Sequence, residues 1–272
     1  MNKIINKINY IISKIEIKKK DIGKEIQLLN NKGEYDDEVQ NNEIEEKIKI
    51  IINGEIKSNI LKYKFNKEGE YKIYYIVEDL KNMSYMFYGC YGLKEINLTS
   101  FKTDNVTNMS YMFDGCSGLK EINLTSFKTD NVNDMSGMFF RCYGLKEINL
   151  TSFKTDNVTN MSSMFYECSG LKEINLASFK TDKVTNMSRM FDGCSGLKEI
   201  NLTSFKTDNV TDMSSMFDGC SGLKEINLTS FKTNNVTNMY YMFKDVKSCK
   251  LKYKDEKIYN IFKEETSNCF IF

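Results

Sequence analysis

Six cysteines, Cys90, Cys116, Cys142, Cys168, Cys194 and Cys220, follow one another at a constant interval of 26 residues. Thiols in such a series could ligate zinc, pair as disulfides or act as nucleophiles. Zinc sites gather their ligands in pairs such as Cys-x-x-Cys, and this chain has neither such a pair nor any histidine. The lack of histidine also removes the usual general base and proton shuttle. A disulfide ladder is conceivable, because stacked coils would bring equivalent residues within about 5 Å. The bland alternative, which the spacing favours, is a column of buried reduced thiols packing as small apolar groups. Methionine pairs such as Met109 and Met112 offer soft-metal ligands, but with Phe113 and Cys116 they fall at i, i+3, i+4 and i+7, the apolar face of a short helix. No cofactor, metal or catalytic residue is expected.

The element that must position these side chains is a 26-residue unit that starts at Gly92 and restarts at Gly118, Gly144, Gly170, Gly196 and Gly222 without insertion or deletion. A period of this size marks a solenoid, in which each unit buries its apolar face by stacking on its neighbours. Leu93-x-x-Ile96-x-Leu98 has strand spacing, with Lys94, Glu95, Asn97 and Thr99 towards solvent. Phe101 and Val106 continue the interior. Asn108 (Asp134 in the next copy) precedes the predicted helix as a cap-type residue, and Gly118 sits where a positive φ is expected. Each coil is therefore predicted to be a strand, a turn, a short helix and a glycine.

The run from Asn105 to Leu119, Asn-Val-Thr-Asn-Met-Ser-Tyr-Met-Phe-Asp-Gly-Cys-Ser-Gly-Leu, resembles the BspA-type leucine-rich repeat, whose core reads Val-Thr-x-Met-x-x-Met-Phe-x-x-Cys. The resemblance covers residues 82–246. It implies a right-handed α/β solenoid with a parallel sheet on one side, surface, adhesion or protein-interaction roles, and no catalytic residues. Bacterial members usually carry an export signal; here the amino-terminal residues show neither a continuous apolar region nor a cleavage site. The expected setting is cytoplasmic, with a surface adhesin whose signal is missing as the alternative.

Three segments are expected: a β-rich leader and cap over 1–80, the array over 81–246, and a strand-helix cap with a tail over 247–272. In the leader, Ile4, Ile5, Ile8, Ile11, Ile12 and Ile15 form a helical stripe, with a competing strand over Ile15–Ile17. Residues 30–46 read as a polar loop and 47–52 as a strand. Leu61–Phe65 and Tyr71–Val77 read as a hairpin joined through Asn66–Gly69. Beyond the array, Lys250–Phe262 reads as a strand and a helix capped by Asp255.

Composition narrows the partners. The net charge is +1, from 38 basic and 37 acidic residues, which gives nucleic acid no concentrated basic face to bind. No apolar stretch is long enough to span a membrane. Membrane association would rest on Cys269, a candidate prenylation site in the terminal Cys-Phe-Ile-Phe. On the sheet, the columns begun by Lys94 and Glu95 are expected to neutralise one another, with a polar docking surface for a partner as the alternative. Copies differ instead on the predicted helix side, which makes Tyr111, Asp114, Phe140, Arg141, Tyr166, Arg189, Asp192 and Asp218 the candidate surface for an unidentified protein partner. The expected function is a non-catalytic interaction scaffold; an enzyme with its site in residues 1–80 is the remaining rival.

Overall fold

The computed structural model describes residues 9–33, 40–266 and 270–271. In the leader, β1 (Tyr10–Ile17), β3 (Ile48–Ile52), β4 (Glu55–Ser58) and β6 (Gly69–Val77) form an antiparallel sheet in the order β4-β3-β6-β1. The helical stripe is thus corrected to a strand where it is described. Ile11, Ser13, Ile15 and Ile17 alternate inward, and two neighbouring strands bond β1 along both edges. Ile4, Ile5 and Ile8 lie outside the described residues.

The expected hairpin does not form either. Strand β5 (Lys62–Lys64) pairs with β2 (Glu25–Gln27), while β6 runs between β1 and β3. The end of the predicted polar loop and the first residue of the predicted strand form a helix instead, α1 (Asn42–Lys47). Burial of Ile44 pins it, and Glu43 Oε2 accepts from the Lys81 and Asn82 amides at 2.9 and 3.2 Å.

The repeats are coils stacked in register, held on two unlike walls. On the strand wall, β7 (Leu93–Asn97) joins β1 antiparallel. Next come a parallel pair, β8 (Glu121–Asn123) and β9 (Glu147–Asn149), and a separate parallel sheet of β10 (Glu199–Asn201), β11 (Glu225–Asn227), β12 (Lys250–Lys252) and β13 (Phe270–Ile271). The single continuous parallel sheet is therefore corrected to interrupted pieces, since residues 173–175 form no strand and β7 does not bond β8. Each strand in the interior of the array is only three residues long, so few bonds hold any one register.

The opposite wall is not helical. From Met109 onward the chain turns repeatedly, and its amides alternate between two jobs. Met109, Tyr111, Phe113 and Gly115 donate to Asp134, Ser136, Met138 and Phe140 of the next coil; Met112, Asp114 and Cys116 donate three residues back. A helix capped at Asn108 would bond the Phe113 and Gly115 amides four residues back, to Met109 and Tyr111, so the inter-coil bonds of those amides replace the expected helix. The chain regains its direction through a left-handed residue at Tyr111 (φ 54°) and its copies Ser163, Arg189 and Ser215, which falls on the variable position. The same four inter-coil bonds recur at the junctions that begin with Met83, Met135, Met161, Met187 and Met213.

Gly118 and its copies are corrected too: they are absent from the positive-φ positions. At Gly144 a Cβ would come within 2.4 Å of the Ser117 carbonyl and 2.9 Å of that of Leu119, so the glycine is required by the closeness of the coil below.

Between the walls lies the core. Phe87, Phe113, Phe139, Phe165, Phe191, Phe217 and Phe243 stack face to face, with centroids 5.5 Å apart at the first step and 5.8 Å at the last. Contacts of this kind contribute about 0.5–1.5 kcal/mol each beyond burial. The seven described cysteines are buried free thiols. Cys116 Sγ donates to the Phe87 carbonyl of the preceding coil at 3.2 Å, and the next four copies repeat the contact, which gives a small weakly polar side chain a structural reason to recur here.

The ends are closed by imitation. At the first coil, Asn41 Nδ2 donates to the carbonyls of Asn82 and Ser84 (both 3.1 Å), and the Asn30 amide to that of Met86 (2.9 Å), where a preceding coil would have donated. At the last, Glu265 of α2 (Glu256–Glu265) accepts from the Phe243 amide at 2.7 Å, where the next coil would have offered a carbonyl. Asp255 caps α2 and also receives Thr233, in place of the backbone that earlier threonines of that column contact. Even the ring stack ends edge-on, against Tyr75 at 5.6 Å and Phe262 at 5.0 Å. Among the described residues no helix is long and apolar enough to cross a membrane.

Candidate interaction surfaces

Two surfaces carry side chains that could recognise a ligand. The first is a groove of about 1160 Å³ along the strand wall. Its columns are Glu95, Glu121, Glu147, Glu173, Glu199 and Glu225; Ile96 and its copies as far as Ile200; and Asn97 and its copies, with Lys14 and Lys72 of the leader at one end. Every isoleucine of the column except Ile174 is buried, which turns the residues before and after it outward. Most asparagines are fixed by their own coil: Asn97 Oδ1 accepts from the Thr99 amide (3.0 Å) and hydroxyl (2.7 Å). In the coil where Ala177 replaces threonine only the amide contact remains, and there Ile174 is partly exposed and no strand is found.

The glutamates are handled unequally. Lys14 reaches Glu95 at 2.5 Å and Lys252 reaches Glu225 at 2.5 Å, so both ends of the column are neutralised by residues outside the coils. Among the described residues Glu121, Glu147, Glu173 and Glu199 have no ion pair, and neither do Lys120, Lys146, Lys172, Lys198 and Lys224. The expected mutual neutralisation of the two columns is thus corrected. Glutamate lines the groove, whereas Lys94, Lys120, Lys146 and Lys172 border a separate shallow depression with Tyr143. Like charges about 5 Å apart repel by about 1 kcal/mol in water.

A different corner of the same coils shows what pairing looks like. Lys128, Lys154, Lys180, Lys206 and Lys232 each meet an aspartate of the preceding coil, from Asp104 to Asp208, at 2.5–2.7 Å. The hydrogen bond from lysine holds Asp104 and Asp130 below the usual carboxylate range.

The second surface is the variable side of the turn wall, where the sequence placed the candidate contacts. The fold brings them onto one wall and packs four of the eight, Tyr111, Phe140, Arg141 and Tyr166, against one another. Tyr111 stacks on Tyr85 (5.4 Å) and lies tilted on Phe140 (6.1 Å); Phe140 stacks on Tyr166 at 4.3 Å. Arg141 lies over Phe140 at 5.0 Å, with its Nε 3.1 Å from Glu167, and Tyr143 also donates to Glu167 at 2.8 Å. Asp114 is buried, while Arg189 is exposed. Asp192 and Asp218 follow on successive coils, half-buried. Burial, aided by Asp218, pushes Asp192 up to about 7, and burial also raises Asp218.

The thiols offer no nucleophile, because burial pushes Cys168 up to about 12 and the others of the column higher than the usual thiol range. Among the described residues no group of three or more cysteines or carboxylates could hold a metal ion. Cys269 lies outside the described residues. The sequence offered this face as a polar docking surface only as the alternative to a self-neutralising one, because unvarying Glu-Ile-Asn columns also look like plain scaffold.

A family model described as "Mycoplasma protein of unknown function, DUF285" matches the chain over residues 64–174 and again over 169–268. Those two spans run from the last leader strands to the C-terminal segment. No curated protein matches the sequence.

Proposed function

The chain belongs to this family of unknown function, and from that premise we propose that it is a non-catalytic protein-interaction solenoid, with the right-handed leucine-rich-repeat form that its Met-Phe-Cys units resemble. Solenoids present extended surfaces because each unit touches only its neighbours. The observation that carries the reading is the groove, in which four successive glutamates stay unpaired while another charged row of the same coils is paired at every step. A fold that neutralises one row and leaves another open is holding that row for something else. A cytoplasmic setting belongs to the same reading, since it keeps the buried cysteines reduced. Attachment to a membrane would rest on lipidation of Cys269.

Quantitative affinity capture with the full chain tests the interaction. Glu147→Lys/Glu173→Lys should release captured proteins that Asp156→Asn/Asp182→Asn, on the outer corner, retains. Capture that neither variant alters would end the assignment of function to the groove.

A further inference from the structure

We infer that the groove takes an extended, lysine- or arginine-bearing peptide segment, laid along the stacking direction with its cationic side chains among Glu121, Glu147, Glu173 and Glu199. The inference rests on the interaction reading above and names the partner's chemistry. The groove itself shows how the column is satisfied. Each terminal glutamate is met by a lysine brought in from outside the coils, Lys14 at one end and Lys252 at the other, both at 2.5 Å. Neither lysine belongs to the repeat. The four carboxylates between them face the same groove and lack the corresponding cations.

Spacing selects the shape of the ligand. Coils stacked at about 4.8 Å spread four carboxylates over roughly 14 Å, and an extended chain advancing about 3.4 Å per residue places three alternate side chains across the same span. Alternate residues also point to one side, so a Lys-x-Lys-x-Lys segment can turn all its ammonium groups towards the column. The asparagines keep their amide groups beside the carboxylates, with Oδ1 already engaged, leaving the amide nitrogens as donors for the segment's carbonyls. A polyamine shares the charge but has no carbonyls to receive those donors, which makes it the discriminating competitor.

Binding of a fluorescein-labelled Lys-Thr-Lys-Thr-Lys-Thr-Lys peptide to the full chain, read by anisotropy, tests this, with the Glu-Thr counterpart and spermine as comparisons. The lysine peptide should bind, weaken by about tenfold or more as salt rises to physiological strength, and lose about tenfold in Glu147→Gln/Glu173→Gln. Asp156→Asn/Asp182→Asn should bind as the parent does, and thermal melts of both variants check that the fold is kept. Binding unchanged by the groove substitutions, or spermine competing as tightly per charge as the peptide, overturns the inference. If the peptide fails while groove-dependent capture of proteins persists, the partner class is wrong and the interaction reading survives. If both fail, both fall.

Discussion

The strand wall of each coil is the more constant in sequence, and the turn wall, where the copies vary, is the more firmly held in space. The turn wall carries four backbone bonds to the next coil at every junction from Met83 to Met213, and the phenylalanine stack runs unbroken behind it. The strand wall is bonded in three-residue pieces and opens at residues 173–175. The lesson is that the segment resembling a helix is the spine of the array, and the segment resembling a strand is the surface laid over it.

The comparison is most exposed to breaking by truncation on each wall. Phe165→Ala should cost about 3–5 kcal/mol in urea unfolding, because it removes a fully buried ring from the middle of the stack. Ile174→Ala, on a partly exposed strand-wall residue, should cost less than about 2 kcal/mol; equal losses would refute the inequality. Glu265→Ala comes next, at about 1–3 kcal/mol, since the Phe243 amide would lose its acceptor. Hydrogen exchange should then quicken at the last coil and leave the first unchanged.

A gain is expected on the weak wall. Ala177→Thr supplies the hydroxyl that Asn149 and Asn201 already receive in their own coils, worth about 0.5–1.5 kcal/mol, and should slow exchange across residues 173–175. The last effect is electrostatic. Asp192 binds its proton more tightly when folded, with a value raised from 3.8 to about 7, so its contribution to stability is complete in acid and lost as pH rises through about 7. Asp192→Asn should flatten that loss in melts taken across the same window; a parent that gains stability there would contradict the assignment.

Much of this was legible beforehand. Leu93, Ile96, Leu98, Phe101, Val106, Met109, Met112, Phe113 and Cys116 were all assigned to the interior and are all buried, because one repeated error would have been repeated in every coil. The helix was misread for a physical reason. Turns that close on the third residue bury 109, 112, 113 and 116 as a helix would, and only the partners of the amides distinguish the two. The antiparallel docking of β1 on β7 was hidden because the isoleucines before it satisfy both helical and strand periods. The open glutamates could not be read at all without knowing that Lys14 and Lys252, far apart in the chain, stand at the two ends of one column.

The closure of the ends has a consequence for repeat number. Asn30, Asn41, Asp255 and Glu265 address backbone and hydroxyl groups that every coil offers in the same place, so neither terminus senses how many coils lie between them. A chain with one whole unit added or deleted in frame would then meet the same contacts at both ends. Each unit gained or lost would lengthen or shorten the strand-wall groove by about 4.8 Å.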